Sequence, residues 1–198
     1  MKCMRTKIFF LLLMIVLLGM HVDAQIKRYD SSMKVGKVGF RVLCNNKSAE
    51  KNTASISPIG FENTAREISI EIKGRITKAE VDDLNNDGFP DMVLYVYNGG
   101  TKNTGTVIGI SSDKNQGFVP IFFPDIADDQ KLKVGYMGHD EFTLMEGTLL
   151  RRFPIYATAD TANGKPTGMM RQIQYRVTAT EKGAQKFKVA RSYETNKQ

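Results

Sequence analysis

The chain has 198 residues, 41% of them apolar, which is enough for one domain with a sizeable buried core. Its formal charge of +7 comes from basic residues spread along the sequence instead of clustered, which argues against a dedicated nucleic-acid face. Cys3 and His21 fall in the first 24 residues, so the remainder keeps only Cys44 and His139, excluding an intramolecular disulfide and any zinc site that needs two histidines.

In chain order, Lys2, Arg5 and Lys7 precede an unbroken apolar run over residues 8–18, followed by the small-residue site Val22-Asp23-Ala24. This is the pattern of a secretory signal peptide, and the run is too short for a spanning helix. Cleavage after Ala24 is expected to leave 174 of the 198 residues, with a net charge of about +5, in the periplasm or outside the cell. Residues 25–37 and the tail from 194 to 198 are polar and expected to be loose.

Strand signals dominate the rest. Ile68, Ile70 and Ile72 alternate with Ser69, Glu71 and Lys73, and Ile173, Tyr175 and Val177 alternate with Gln172, Gln174 and Arg176. Further strands are predicted at 39–43, 54–57, 76–81, 92–97, 106–111, 118–122, 141–145, 148–156 and 186–191, with Glu146-Gly147 as a tight hairpin turn. Only residues 125–132 have a helical look. The strands are short and separated by turns, and no strand-helix alternation is present. The predicted fold is therefore all-β, an antiparallel β-sandwich with one or two short helices. Phe118, Phe122, Phe123 and Tyr136 are expected in its core.

The stretch from Asp83 to Asp91 reads Asp-Leu-Asn-Asn-Asp-Gly-Phe-Pro-Asp. Asp83, Asn85, Asp87 and Asp91 place oxygens at positions 1, 3, 5 and 9, the Phe89 carbonyl adds a main-chain donor at position 7, and Gly88 gives the turn its freedom. These are hard-cation ligands, so structural Ca2+ is the expected cofactor. A turn closed by its own side chains is the alternative. Leu94 stands where an EF-hand needs a bidentate glutamate, and a single copy cannot build a propeller. The loop is expected to lie in a hairpin and to hold the strand leading into the glycine-rich segment 98–106. Arg151 or Arg152 is expected to pair with Glu141, Glu146 or Asp140 across the Glu146-Gly147 hairpin. Asp140, Glu141 and Glu146 are the candidate carboxylate cluster outside the acidic loop, and His139 is the only histidine beyond residue 24 that a nucleophilic site could use. No enzymatic site is expected.

The segments Gly135-Tyr136-Met137-Gly138-His139-Asp140-Glu141-Phe142 and Glu146-Gly147-Thr148-Leu149-Leu150-Arg151-Arg152-Phe153-Pro154-Ile155-Tyr156 resemble the periplasmic inhibitors of invertebrate-type (I-type) lysozyme. So do the turn Asp83-Leu84-Asn85-Asn86-Asp87-Gly88, the strand over 93–96 and the segments Pro166-Thr167-Gly168 and Met170-Arg171-Gln172, over about residues 38–189. The resemblance implies a β-sandwich that fills a lysozyme cleft with the loop after the acidic turn. By position that loop is Asn98, Gly99, Gly100, Thr101, Lys102, Asn103, Thr104 and Gly105. The family's Ser-Gly-x-Tyr pattern becomes Thr-Lys-Asn-Thr. Thr101 keeps a hydroxyl for a catalytic carboxylate, Lys102 offers a cation, and Thr104 lacks the tyrosine's ring. The partner this implies is an I-type lysozyme, with no nucleic acid and no membrane involved and a homodimer left open. The alternative is a calcium-stabilised glycan- or protein-binding β module without inhibitory activity.

Overall fold

The computed structural model describes residues 28–62, 65–157, 164–181 and 183–196; the expected signal peptide lies outside them. Twelve strands account for the fold. Tyr29–Val35 (β1), Val38–Cys44 (β2), Asn52–Ile59 (β3) and Ile68–Ile72 (β4) form an antiparallel meander in the order β1-β2-β3-β4. Arg75–Asp82 (β5), Asp91–Tyr97 (β6), Gly105–Ser111 (β7), Val119–Phe122 (β8), Glu141–Met145 (β9), Thr148–Tyr156 (β10), Pro166–Ala179 (β11) and Gln185–Asn196 (β12) form the second sheet. Its order is β5-β6-β7-β8-β12-β11-β10-β9. The all-β class read from the sequence holds, in a sandwich-like, nearly barrel-shaped arrangement.

Two cores explain why β6 reads as an apolar run without alternation. Met92, Leu94 and Val96 pack with Phe40, Val42, Ile56 and Ile72 between the two sheets. Val93 and Tyr95, on the opposite face, pack with Leu149, Phe153, Ile173, Tyr175 and Phe187, where the large sheet curls over itself. A strand buried on both faces needs apolar residues at every position. Each fully buried large side chain here contributes about 1.5–3 kcal/mol. The free thiol of Cys44 is buried in the first core.

The curl brings the two ends of the large sheet together. Gly147 N–H, in the β9–β10 turn, donates to Asp82 Oδ2 at the end of β5 at 2.7 Å. Phe142 on β9 lies 6.0 Å from Tyr95 and 6.2 Å from Tyr97, ring centre to ring centre.

Several sequence expectations are corrected. Residues 29–35, expected to be loose, are β1, an edge strand whose polar residues face solvent while Tyr29 and Met33 pack on the first core. Asp30 on this strand accepts from Arg41 Nε on β2 at 3.1 Å. The tail likewise belongs to β12 as far as Asn196, paired to Met169 on β11. In place of a helix over 125–132 there is a three-residue 3-10 turn, Ile126–Asp128, capped by Asp125 accepting from Ala127 N–H at 2.9 Å. One short pairing, Gln185 with Ile121 and Lys186 with Phe122, is parallel. Phe118, Phe123 and Tyr136 do pack on the cores, but Phe122 is 62% exposed because it points away from Ile121's buried face.

Candidate functional site

The glycine-rich segment joins β6 to β7 as a hairpin loop, as expected. Its closure is local: Asn98 N–H donates to Thr104 O at 3.1 Å, Thr104 N–H to Asn98 Oδ1 at 3.1 Å, and Asn103 N–H to Gly100 O at 3.2 Å. Gly100, Thr101, Lys102 and Asn103 are exposed, while Thr104 is half-buried in the base of the loop. Gly105, read from sequence as part of the loop, is the buried first residue of β7. The tip is therefore 100–103, and Thr104 lies beneath it.

A second segment holds this loop from the side. His139 N–H donates to Lys102 O at 2.6 Å, and Gly105 N–H donates to Asp140 Oδ2 at 2.8 Å. Gly138 makes the close approach possible. Its φ is +87°, and a Cβ there would stand 2.2 Å from Lys102 O. The His139 ring stacks on Tyr156 at 6.2 Å and is exposed.

The segment is itself fixed to the barrel. Arg171, 8% exposed, donates from one guanidinium nitrogen to the carbonyls of Lys131, Leu132 and Val134, and from the other to Glu194 Oε1 at 2.6 Å. Tyr156 N–H donates to Gly135 O at 2.9 Å.

At the centre is a buried ion pair. Arg151 Nε donates to Asp140 Oδ1 at 2.7 Å, both side chains being almost fully shielded. Tyr136 Oη donates to Asp140 Oδ2 at 2.6 Å and accepts from an Arg151 NH2 group at 3.0 Å. The guanidinium carbon lies 5.1 Å from the Tyr136 ring centre, 5.5 Å from Phe142, 5.7 Å from Phe153 and 5.9 Å from Phe123, a cage of four aromatic faces. Burial, reinforced by the hydrogen bond to Asp140, holds the Tyr136 phenol well above its usual range. For Arg151, burial works against the charge, but the Asp140 carboxylate prevails and the guanidinium is held more tightly protonated than in water. Of the three partners considered for this arginine, the structure selects Asp140. The carboxylate is thus committed to the fold, whereas Glu141 and Glu146 are exposed at opposite ends of β9.

The acidic loop sits at the other end of β6. It lies in the β5–β6 hairpin, where Asp82 faces Asp91, about 20 Å of strand away from the glycine-rich loop. Its side chains close it on its own backbone. Asp83 accepts from Asp87 N–H at 3.0 Å and Gly88 N–H at 2.9 Å, Asn85 Oδ1 accepts from Asp87 N–H at 3.0 Å, and Asp87 Oδ1 accepts from Phe89 N–H at 2.9 Å. Asp91 is wholly buried and accepts from Leu84 N–H at 3.1 Å and Ser112 N–H at 3.3 Å, which ties the loop to β7. Burial, with the charge of Asp87 added, pushes its carboxyl up to about 6 despite these donors. Asp83, Asn85, Asp87 and the Phe89 carbonyl remain hard oxygen donors suited to Ca2+. Among the described residues, no group of three or more acidic, histidine or cysteine side chains gathers closely enough to hold a metal ion. The acidic loop stands at the start of β6, the strand that leads into the glycine-rich loop, and residues 138–140, fixed by Arg151, hold that loop from the side. Apart from the Arg151 pairing, that arrangement escaped the sequence, and its signals were Gly135 and Gly138 around Tyr136 and the run His139-Asp140.

Fold and site together define an all-β protein that presents a side-braced hairpin loop between β6 and β7. Comparison of the chain with protein-family models, curated proteins and solved structures found no match.

Proposed function

We propose that this protein is an exported inhibitor that blocks the active-site cleft of an I-type lysozyme by inserting the loop 98–105. The observation that carries this reading is the state of the loop: an exposed tip at 100–103, held at Lys102 O by the His139 N–H, on a base pinned by Asn98 and Asp140. A loop fixed before contact loses little conformational entropy on binding, and this favours steric inhibition. In the complex, the Thr101 hydroxyl donates to a catalytic carboxylate and the Lys102 ammonium pairs with an acidic cleft wall. Thr104, half-buried at the base, leaves contact to the four tip residues. No turnover is involved.

The test is titration of the purified protein into I-type, C-type and G-type lysozymes. Inhibition of the I-type enzyme is expected, and Thr101→Arg is expected to weaken it at least about tenfold, equivalent to ~1.4 kcal/mol. Activity of all three enzymes unchanged at micromolar excess would sink the reading.

The acidic loop favours a second reading, a calcium-stabilised module that binds a glycan or protein without inhibiting. Asp83, Asn85, Asp87 and the Phe89 carbonyl would hold the ion and brace the β5–β6 hairpin. Calcium at about 100 times its Kd adds ~2.7 kcal/mol, so the melting temperature is expected to rise by roughly 5–10 °C over that in EDTA. An unchanged midpoint removes calcium from either reading. Calcium-dependent binding to peptidoglycan fragments, without inhibition, would favour the second.

A further inference from the structure

The basic residues look scattered in sequence, but the fold lines several of them up. On the outer face of β11 and β12, Arg176 stands directly opposite Lys188, Thr178 opposite Lys186, and Gln174 opposite Arg191. A β-bulge at residue 190 of β12 keeps Arg191 on the same face as Lys186 and Lys188. Neighbours two apart on a strand are about 6.7 Å apart, and directly paired residues about 5 Å, so these four cations form one stripe. All four are exposed, and among the described residues none is in an ion pair. Like charges placed directly opposite one another work against the sheet. Nothing in the packing of this face requires Arg176 and Lys188 to be cations.

The surroundings of the stripe narrow its partner. Phe122, 62% exposed, is paired beside Lys186, and Tyr193, 36% exposed, lies beyond Arg191 with its hydroxyl accepting from Gln172 Nε2. Gln172 and Gln174 continue the face across β11. Beside Lys186 and Lys188 is a polar depression of about 480 Å3 lined also by Thr178, Thr180 and Glu181. Cations that take carboxylates or sulfates, amides and hydroxyls that bond sugar hydroxyls, and rings that cover the apolar face of a sugar make up the chemistry of an acidic polysaccharide site. The large sheet curls around its core, so this outer face is convex and a flat bilayer would meet only a narrow line of it. The rings stand at the two ends of the stripe and not in series, as stacking of successive bases requires.

We infer that the outer face of β11 and β12 is a docking surface for a linear acidic polysaccharide, separate from the 98–105 loop and independent of its function. The probe is heparin, with Kd measured between roughly 50 and 200 mM salt. Wild type is expected to bind, with affinity falling as salt rises with a log–log slope of about −2 to −4, matching the few cations engaged. Lys186→Glu combined with Lys188→Glu is expected to lose at least tenfold. Lys34→Glu with Lys37→Glu, an equal charge change on the β1–β2 hairpin, is expected to lose less than about threefold. Arg176→Gln, which relieves the like-charge pair and keeps the fold, is expected to lose about threefold and guards against misfolding of the double variant. Equal losses in the two double variants would overturn the inference. So would tighter binding to single-stranded DNA or to phosphatidylglycerol vesicles than to heparin, or no binding to heparin at the lowest salt.

Discussion

Asp140→Asn is expected to destabilise the protein by about 3–5 kcal/mol, one of the two largest effects anticipated for a single substitution. The reason is the state in which it leaves Arg151. That guanidinium is 2% exposed inside a ring of aromatic faces, and Asp140 is its only carboxylate partner among the described residues. Removing one member of a buried pair leaves an uncompensated charge in a medium that solvates it poorly. An asparagine can still accept one hydrogen bond, but it cannot neutralise the cation, and it misplaces a donor toward Gly105 N–H or Tyr136 Oη. Adding Arg151→Met to Asp140→Asn is expected to recover most of the loss, since apolar residues of similar volume often replace buried pairs at little cost. Urea unfolding of the two single variants and the double variant measures this directly. If Asp140→Asn costs less than about 1 kcal/mol, the pair does not hold the barrel's closing edge.

Gly138→Ala is expected to separate stability from the state of the loop. At φ +87°, any side chain is strained, and a Cβ 2.2 Å from Lys102 O forces the backbone of residues 138–139 away from the loop. The left-handed strain alone costs about 1–3 kcal/mol. The larger consequence falls on the bond from His139 N–H to Lys102 O, which the displacement breaks. Inhibition of an I-type lysozyme is then expected to weaken by more than tenfold, because a loosened tip must be ordered on binding. Gly168→Ala is the matched control: its φ is +85°, but nothing lies within 4 Å of the added Cβ. It is expected to carry the strain without the loss of inhibition. Equal inhibition by the two variants would show that the side brace is irrelevant to the loop.

The fold was legible in sequence where one face of a strand is wet. Ile68, Ile70 and Ile72 in β4 and Ile173, Tyr175 and Val177 in β11 alternate, and both lie where expected. β1 is illegible in sequence because an edge strand with Asp30, Ser31, Ser32 and Lys34 has the composition of a loop; its stability comes from pairing with β2 and from Tyr29 and Met33 packing on the first core, which local propensity does not encode. The parallel contact of β8 with β12 spans only two residue pairs, too little to leave a pattern. The position of the glycine-rich loop was readable from Gly99, Gly100 and Gly105 between two strands. Its brace was not, since Gly105 and Asp140 are 35 residues apart and meet only when the sheet curls. The stripe on β11 and β12 is local by contrast: antiparallel pairing of consecutive strands and the bulge at residue 190 put Arg176, Lys186, Lys188 and Arg191 on one face.

Hydrogen exchange of the loop amides, with and without an I-type lysozyme, tests the inhibitor account most directly. The amides of residues 100–103 are expected to be protected in the complex, with the β11–β12 face unchanged. Protection on the β11–β12 face, or on the β1–β2 hairpin, with the amides of 100–103 still exchanging freely in a formed complex would contradict it.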